Sequence, residues 1–297
     1  MNPPARPATT ALLLLGALCL TWGINWPFMK IALAEFPVWT FRSLTCGVAA
    51  VVILAIARVG GGAFWPADAR EWRRLAIAGF FNVTIWQVTV AYALQLMGSG
   101  HAAVLAFTMP LWSGLISVAF LGERPSRRLV VAIGLGTAGV LALLARRTDD
   151  LGESPAGIAF VLVAAIGWAI GTLYLKSRRF SLPVVAATGW QLALGAAPIV
   201  LMTPLLEPLA WPQASAAAWG SAAFVSFGAV VGGYLAWFNL VRVLPANVAG
   251  VSSLIVPVVA MLSGAIVLGE PLGWREALAT ALIVAALALV LLRPAKE

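Results

Sequence analysis

The sequence predicts an all-α integral membrane protein of ten transmembrane helices, arranged as two inverted five-helix repeats. The first observation is composition, because 62% of the 297 residues are hydrophobic and only 10% are charged, with a mean hydropathy of +0.97. A soluble domain is about half apolar and about a quarter charged. The second observation is a series of ten long apolar stretches, and the third is a repeat in their landmarks.

A helix that crosses a bilayer needs about 20 mostly apolar residues. The stretches that meet this condition are 11–33, 38–57, 75–96, 102–121, 129–145, 156–176, 183–204, 217–241, 247–268 and 275–292. Charged segments rich in Gly and Pro separate them. The first stretch resembles a signal peptide, but no clear cleavage site follows it, so we expect a retained helix.

The distribution of Lys and Arg predicts that both termini are cytoplasmic. With the N-terminus inside, 14 of the 19 basic residues fall in cytoplasmic segments and five in external ones. Such an excess is the usual mark of the cytoplasmic side. The net charge of +8 is therefore explained by the excess of basic residues in the loops of a membrane protein. Nucleic acid is not expected as a partner.

The two halves share landmarks at an almost constant offset of 146 or 147 residues. Trp22, Lys30, Pro110 and the Leu-Gly-Glu of 121–123 recur as Trp168, Lys176, Pro257 and the Leu-Gly-Glu of 268–270. Because each half holds an odd number of spans, the second must enter the membrane from the opposite side. Inverted repeats of this kind are typical of secondary transporters. The predicted repeats are residues 1–145 and 146–297 of one membrane domain.

These features resemble the drug/metabolite transporter superfamily, EamA type: ten spans in two repeats, a proline within spans four and nine, and Leu-Gly-Glu where both end. The resemblance covers nearly the whole chain. It implies a multi-pass carrier in the bacterial inner membrane that moves small metabolites by alternating access. The abundance of tryptophan is similar to that of the family's exporters of aromatic and other neutral amino acids.

Seven of the 13 tryptophans lie inside predicted spans, although tryptophan usually occupies the membrane interface. Four lie within about two residues, or about 3 Å, of a span centre: Trp22, Trp86, Trp112 and Trp168. The other three are Trp26, Trp190 and Trp237. An inverted-repeat carrier holds its substrate at mid-depth, so we predict an aromatic cavity there. Bulky core packing is the alternative interpretation.

Polar residues share helix faces with these tryptophans. An amide at mid-depth is costly unless it has a partner or faces water, so these faces should look into the bundle. The predicted cavity residues are Trp22, Asn25, Trp26, Asn82, Trp86, Trp112, Trp168, Thr172, Tyr234 and Trp237. The alternative for each polar member is a hydrogen bond between helices. Lys30 and Arg42 are predicted to form a cationic outer mouth, or Lys30 only extends to the interface.

All eleven acidic residues lie in loops, termini or the last turns of spans. We interpret the landmark residues Glu123 and Glu270 as structural residues at helix ends. Coupled carriers commonly place ionisable side chains at mid-membrane, so the predicted mechanism is uncoupled facilitated export of amino acids. The alternative is a polyspecific exporter of drugs, nucleosides or other metabolites, including a proton-coupled one in which His101 or Lys30 titrates.

The sequence does not favour an enzyme, because it lacks HExxH, GxSxG, CxxC and phosphate-loop motifs. No cofactor and no metal site are expected, and Cys19 and Cys46 indicate neither a metal site nor a disulfide framework. A channel would show a ring of charges or a filter sequence. A membrane scaffold or receptor is the remaining alternative. The partners expected are a small-molecule substrate and lipid, and the sequence leaves the oligomeric state open.

Overall fold

The computed structural model describes residues 9–120, 126–144, 154–208, 213–243 and 252–291, which form helices and no strands. Ten helical segments follow in order: α1 Thr9–Leu33, α2 Val38–Val59, α3 Ala69–Leu96, α4 Ser99–Phe120, α5 Arg127–Leu144, α6 Pro155–Lys176, α7 Val184–Leu206, α8 216–243, α9 Ser252–Leu268 and α10 Trp274–Leu291. By length and composition, six of the described helices are able to cross a membrane: α2, α3, α4, α6, α7 and α8.

The helices agree with the predicted spans to within a few residues at most ends. The largest difference among described residues is the start of α3, which begins at Ala69 rather than at residue 75. Asp68 caps this turn by accepting the backbone N–H of Glu71 at 2.7 Å. The first turns are charged, so their low hydropathy hid them from a search for apolar stretches. The predicted boundary between the repeats lies within 145–153, outside the described residues.

The packing of the helices follows the repeat, in which α1 to α5 correspond to α6 to α10. The equivalent helices α2 and α7 pack on each other, as do α4 with α9 and α5 with α10. The largest of the remaining contacts between helices occur twice, at equivalent positions of the two repeats. Thus α1 packs on α9 as α6 packs on α4, and α1 packs on α8 as α6 packs on α3. This pattern confirms the predicted fold of two inverted five-helix repeats.

Both α3 and α8 contain a π-helical segment at the same place in the repeat. The segments are Phe80–Ile85 in α3 and Phe224–Gly232 in α8. They end at residues 85 and 232, which are 147 positions apart, the late offset of the sequence repeat. Segments of this kind are rare and occur often at functional sites. The irregular backbone is therefore a property of the repeat unit and not of one helix.

Two glycines allow α3 and α7 to touch through their backbones. A Cβ placed on Gly195 would lie 2.5 Å from the carbonyl oxygen of Gly79 and 2.5 Å from Cβ of Val83. Thr84 Oγ1 donates a hydrogen bond of 2.6 Å to the carbonyl of Gly195. Small residues that permit such approach are typical of helix contacts in membranes. The contact fixes the π-helical segment of α3 against α7.

The helix ends define two faces of the bundle. We call the face at which the odd-numbered helices begin the N-face, and the face at which the even-numbered helices begin the far face. The loop between α6 and α7 lies at the N-face, and the α9–α10 loop lies at the far face. The cavity described below extends to the N-face, and an ion pair lies at the far face.

Candidate functional site

A cavity of about 410 Å³ extends from the α6–α7 loop at the N-face into the middle of the bundle. Its volume falls within the range of about 300–1,000 Å³ that is common for small-molecule sites. Five of the ten predicted cavity residues line it: Asn82, Trp168, Thr172, Tyr234 and Trp237. Gln191, a polar residue inside the seventh predicted span and a further candidate from the sequence, lines it too. The rest of the wall was not predicted and consists of Leu75, Val83, Leu175, Phe180, Leu182, Val184, Ala187, Thr188 and Leu192.

One corner of the cavity joins α3 to α6. Asn82 Nδ2 donates hydrogen bonds to the Trp168 carbonyl at 3.2 Å and to Thr172 Oγ1 at 3.5 Å. The Oδ1 atom of Asn82 is buried without a partner, in space that a Cβ on Gly171 would occupy. The Trp86 ring packs behind Trp168 with 4.8 Å between ring centroids. A glycine, an amide and two indoles thus determine the shape of this corner.

At the opposite corner, equivalent positions of α1 and α8 are in contact. Trp22 Nε1 donates a 3.0 Å hydrogen bond to the carbonyl of Ala229, and its ring lies 5.9 Å from that of Trp237. Trp22 is the repeat equivalent of Trp168, and position 229 is the equivalent of position 82. In each half, therefore, the tryptophan of the first helix contacts the π-helical segment of the other half. Trp22 and Trp86 lie directly behind the lining rings.

Besides Trp22 and Trp86, three predicted cavity residues do not line the cavity in this conformation. Trp26 is only 3% exposed and belongs to the main hydrophobic core. Trp112 donates from Nε1 to Thr108 Oγ1 at 3.2 Å. It lies in the second part of α4, after a turn at Phe107 and Thr108 interrupts the helix. Asn25 is partly buried, and its Oδ1 lacks a partner.

Trp190 also lies outside the cavity, in an aromatic cluster at the N-face. Its ring lies 4.9 Å from Trp65 and 4.7 Å from Trp72, and its Nε1 donates to the Phe64 carbonyl at 2.7 Å. Trp190 thus lies inside a span, as predicted, but near the N-face and away from the cavity. The α2–α3 loop folds back over the start of α7, and this tertiary contact is not visible in the hydropathy of one span.

An ion pair joins three helices at the far face. Lys30 Nζ at the end of α1 lies 3.1 Å from Glu270 Oε1 and donates to the Met97 carbonyl at 2.9 Å. The Glu270 carboxylate also accepts the backbone N–H groups of Ser99 and Gly100 at 2.6 and 3.1 Å. One carboxylate thereby joins the ends of α1 and α9 to the start of α4.

The Leu-Gly-Glu motif explains how Glu270 reaches this position. Gly269 has a φ of +65°, a left-handed conformation that glycine adopts without a steric penalty and that commonly ends helices. The turn directs Glu270 toward the N-terminus of α4, where a negative charge is favourable. Burial would raise the pKa of Glu270, but the hydrogen bonds from Ser99 and Gly100 and the charge of Lys30 hold it below its usual value. Glu123, the other landmark glutamate, lies outside the described residues.

Two further acids stabilise the far face. Glu207, directly after α7, accepts the backbone N–H groups of Trp39 and Thr40 at 2.9 and 2.7 Å. Glu35 accepts the Ser215 N–H at 2.6 Å, and the hydrogen bonds from Ser215 lower the pKa of this carboxyl. Each acid therefore caps the start of an even-numbered helix, α2 or α8.

Lys30 and Arg42 do not form an open cationic mouth in this conformation. Lys30 is paired with Glu270, and Arg42 is buried in α2 with 1% of its surface exposed. In the part of the chain that the structure describes, no three His, Cys, Asp or Glu side chains are placed to hold a metal ion.

The family comparison agrees with the two repeats seen in the structure. The sequence model of the EamA-like transporter family matches the chain twice, over residues 9–145 and 155–292. This chain belongs to the EamA-like transporter family. The two matches correspond to α1–α5 and α6–α10, so the family unit is the five-helix repeat. Membership shows that the protein is a membrane transporter.

Relatives in other organisms share nearly the full length of this EamA-like chain. The uncharacterized transporter YvbV of Bacillus subtilis (strain 168) is 28% identical over 288 residues, which is 96% of this chain and 92% of YvbV. The uncharacterized inner membrane transporter YedA of Escherichia coli (strain K12) is 28% identical over 280 residues, or 93% and 89%. One crystal structure, with 23% identity and a TM-score of 0.67, covers 96% of this chain and 97% of its own and has the same fold.

We expect Gly171→Ala to displace Asn82, because the added methyl group would collide with its Oδ1. Overpacking of this kind costs about 1–3 kcal/mol, so the unfolding temperature in detergent should fall. Gly47→Ala on α2 is the control, since nothing lies within 4 Å of the added Cβ, and alanine favours a helix. Equal unfolding temperatures for the two variants would contradict the packing of Asn82 on Gly171.

Proposed function

We propose that this transporter exports small metabolites, above all aromatic and other neutral amino acids, by alternating access. The observation that carries the proposal is the cavity wall at mid-depth. There the rings of Trp168, Trp237 and Tyr234 lie near the polar side chains of Thr172 and Gln191. A site of this composition combines flat apolar area with a few orienting polar groups, as small-molecule sites generally do.

The cavity suits a zwitterion with an apolar side chain. Indole and phenol rings offer large contact areas and attract a cation over their faces. Asn82 and Gln191 line the cavity, and their side-chain amides supply the donors and acceptors that a zwitterion requires. Neutral amino acids bring both an ammonium group and an apolar or aromatic side chain to such a wall.

The asymmetry between the faces supports alternating access. The cavity extends to the N-face, whereas the far face is held by the Lys30–Glu270 pair. In inverted-repeat carriers the two states arise when the repeats exchange conformations around a fixed site. In the proposed cycle, the far face opens as the α1–α5 half adopts the arrangement that the α6–α10 half has here.

We expect both termini to be cytoplasmic and the protein to lie in the inner membrane, so that the cavity faces the cytoplasm. The bias of Lys and Arg supports this orientation, and one relative is named an inner membrane transporter. Reporter fusions near residues 65 and 150 should report opposite sides, the first cytoplasmic and the second external. Two reporters on the same side would refute the topology.

Replacing Trp168 by Ala should slow the transport of aromatic amino acids about tenfold, because it removes ring contacts worth about 1–2 kcal/mol. Trp274→Ala, a surface tryptophan that is 71% exposed, is the matched control and should transport normally. The measurement is saturable uptake into proteoliposomes over a panel of amino acids, nucleosides and lipophilic cations. A wild-type rate for Trp168→Ala, with correct insertion, would remove the aromatic cavity from the mechanism.

Because part of the cavity wall is apolar, a polyspecific exporter is the second candidate function. Leu75, Leu175, Leu182, Val184 and Leu192 form a wall without hydrogen-bonding side chains. A drug or nucleoside base would fit against it. The same panel separates the candidates, since saturable transport of these compounds without that of amino acids would favour the second one.

Transport should run down the substrate's own gradient. Among the described residues, the six acids lie in loops or in the first turns of helices: Glu35, Asp68, Glu71, Glu207, Glu270 and Glu276. A proton or sodium relay commonly uses an ionisable side chain at mid-membrane. The test is uptake with an imposed pH or sodium gradient, no initial substrate gradient and a clamped membrane potential. Uphill accumulation under either gradient would show that transport is coupled.

A further inference from the structure

Arg42 is a buried cation that has no anionic partner among the described residues. It lies in the second turn of α2, near the far face, and 1% of its surface is exposed. Its hydrogen bond goes from Nη2 to Met29 Sδ at 3.4 Å, and its Nε is buried without any partner. A thioether is a weak acceptor. The guanidinium therefore retains unused donors inside the bundle.

This arrangement is energetically incomplete. Removing a charged group from water costs several kcal/mol, and buried charges are normally paired. The ion pair found in the described part of the chain joins Lys30 to Glu270 and does not include Arg42. The aromatic ring of Phe41, 5.0 Å from Cζ, offers only partial compensation. The missing group is an anion that the described residues do not provide.

The sequence repeat indicates which position Arg42 takes in the other state of the proposed cycle. Phe-Pro-Val at 36–38 aligns with Leu-Pro-Val at 182–184, so Arg42 corresponds to Thr188 and Met29 to Leu175. Both Thr188 and Leu175 line the cavity that extends to the N-face. When the repeats exchange conformations, Met29 and Arg42 take the positions that Leu175 and Thr188 have here. Arg42 then lines a cavity open to the far face.

Arg42 is linked to the present cavity through a neighbouring cluster. Cys46, one helical turn further along α2, packs in the same buried cluster as Tyr234. Tyr234 in turn lines the cavity. Arg42 therefore lies one helical turn from this cluster, on its far-face side.

We propose that Arg42 binds the carboxylate of the substrate as the transporter opens to the far face. The proposal rests on the proposed function and narrows it to substrates that carry a carboxylate. A guanidinium matches a carboxylate through two parallel hydrogen bonds, and the substrate supplies the negative charge that the described residues do not provide. The tryptophans hold the rest of the molecule while the carboxylate reaches Arg42.

The test compares phenylalanine with phenylalaninamide, which lacks the carboxylate. Counterflow of each is measured in proteoliposomes containing the wild type, Arg42→Gln or Arg58→Gln, with protein-free liposomes to subtract leakage. Arg58 is an exposed arginine on the same helix, so its variant carries the same change of charge. The wild type should prefer the acid. Arg42→Gln should lose about tenfold or more for the acid and leave the amide unchanged, and Arg58→Gln should match the wild type.

The outcomes separate this proposal from the proposed function. Absence of saturable transport of any amino acid by the wild type would refute the proposed function. Wild-type transport of the acid with no preference over the amide, or an equal loss of both in Arg42→Gln, would refute the role of Arg42 alone. If Arg42→Gln does not fold, Arg42→Lys keeps the charge and loses the paired geometry. It should raise KM several-fold for the acid only, and an unchanged KM would overturn the proposal.

Discussion

The backbone contact between Gly79 and Gly195 is the constraint on which the rest of the structure depends. Lipid removes most of the hydrophobic driving force between helices, so close packing must hold the bundle together. Along α3 the contact is followed by Asn82 and Val83, and along α7 it is preceded by Gln191 and Leu192, all of which line the cavity. A side chain at either glycine would separate the two walls. The cavity therefore owes its width to two residues that do not face it.

The same contact explains why the irregular segments lie at the depth of the cavity. Thr84, within the π-helical segment of α3, donates to the Gly195 carbonyl, so α7 supplies a partner where the regular ladder changes. The corresponding segment of α8 offers the Ala229 carbonyl to Trp22. Each altered backbone is thus joined to a neighbouring helix. Departures from regular helix inside a membrane require such partners, because water is not there to supply them.

The spans and the repeat were predictable because they depend on properties that each stretch carries alone, namely apolar length and fixed landmarks. Asn82, Trp168 and Thr172 were predictable for the same reason, since an amide or indole at mid-depth is conspicuous. The α7 wall was not predictable, because Val184 and Leu192 are indistinguishable in type from lipid-facing residues. Which face of a span lines the cavity depends on packing between the repeats and on the conformational state. The Lys30–Glu270 pair joins residues 240 positions apart, which no local pattern indicates.

The repeat also separates contacts that belong to one state from contacts common to both. At the far face Glu35 accepts the Ser215 N–H, and at the N-face Glu71 accepts the Ser181 N–H. Positions 35 and 181 are repeat equivalents, so the two contacts join equivalent loops and helix starts. Because both exist in one conformation, neither distinguishes an open face from a closed one.

The Lys30–Glu270 pair behaves differently. Lys30 is paired at the closed far face, whereas its repeat equivalent Lys176 is exposed at the N-face, where the cavity extends outward. Charge-assisted hydrogen bonds are stronger than neutral ones, and in the proposed cycle this pair stabilises the far face while the N-face is open. In the proposed cycle this is the contact that must break before Arg42 becomes accessible from the far face.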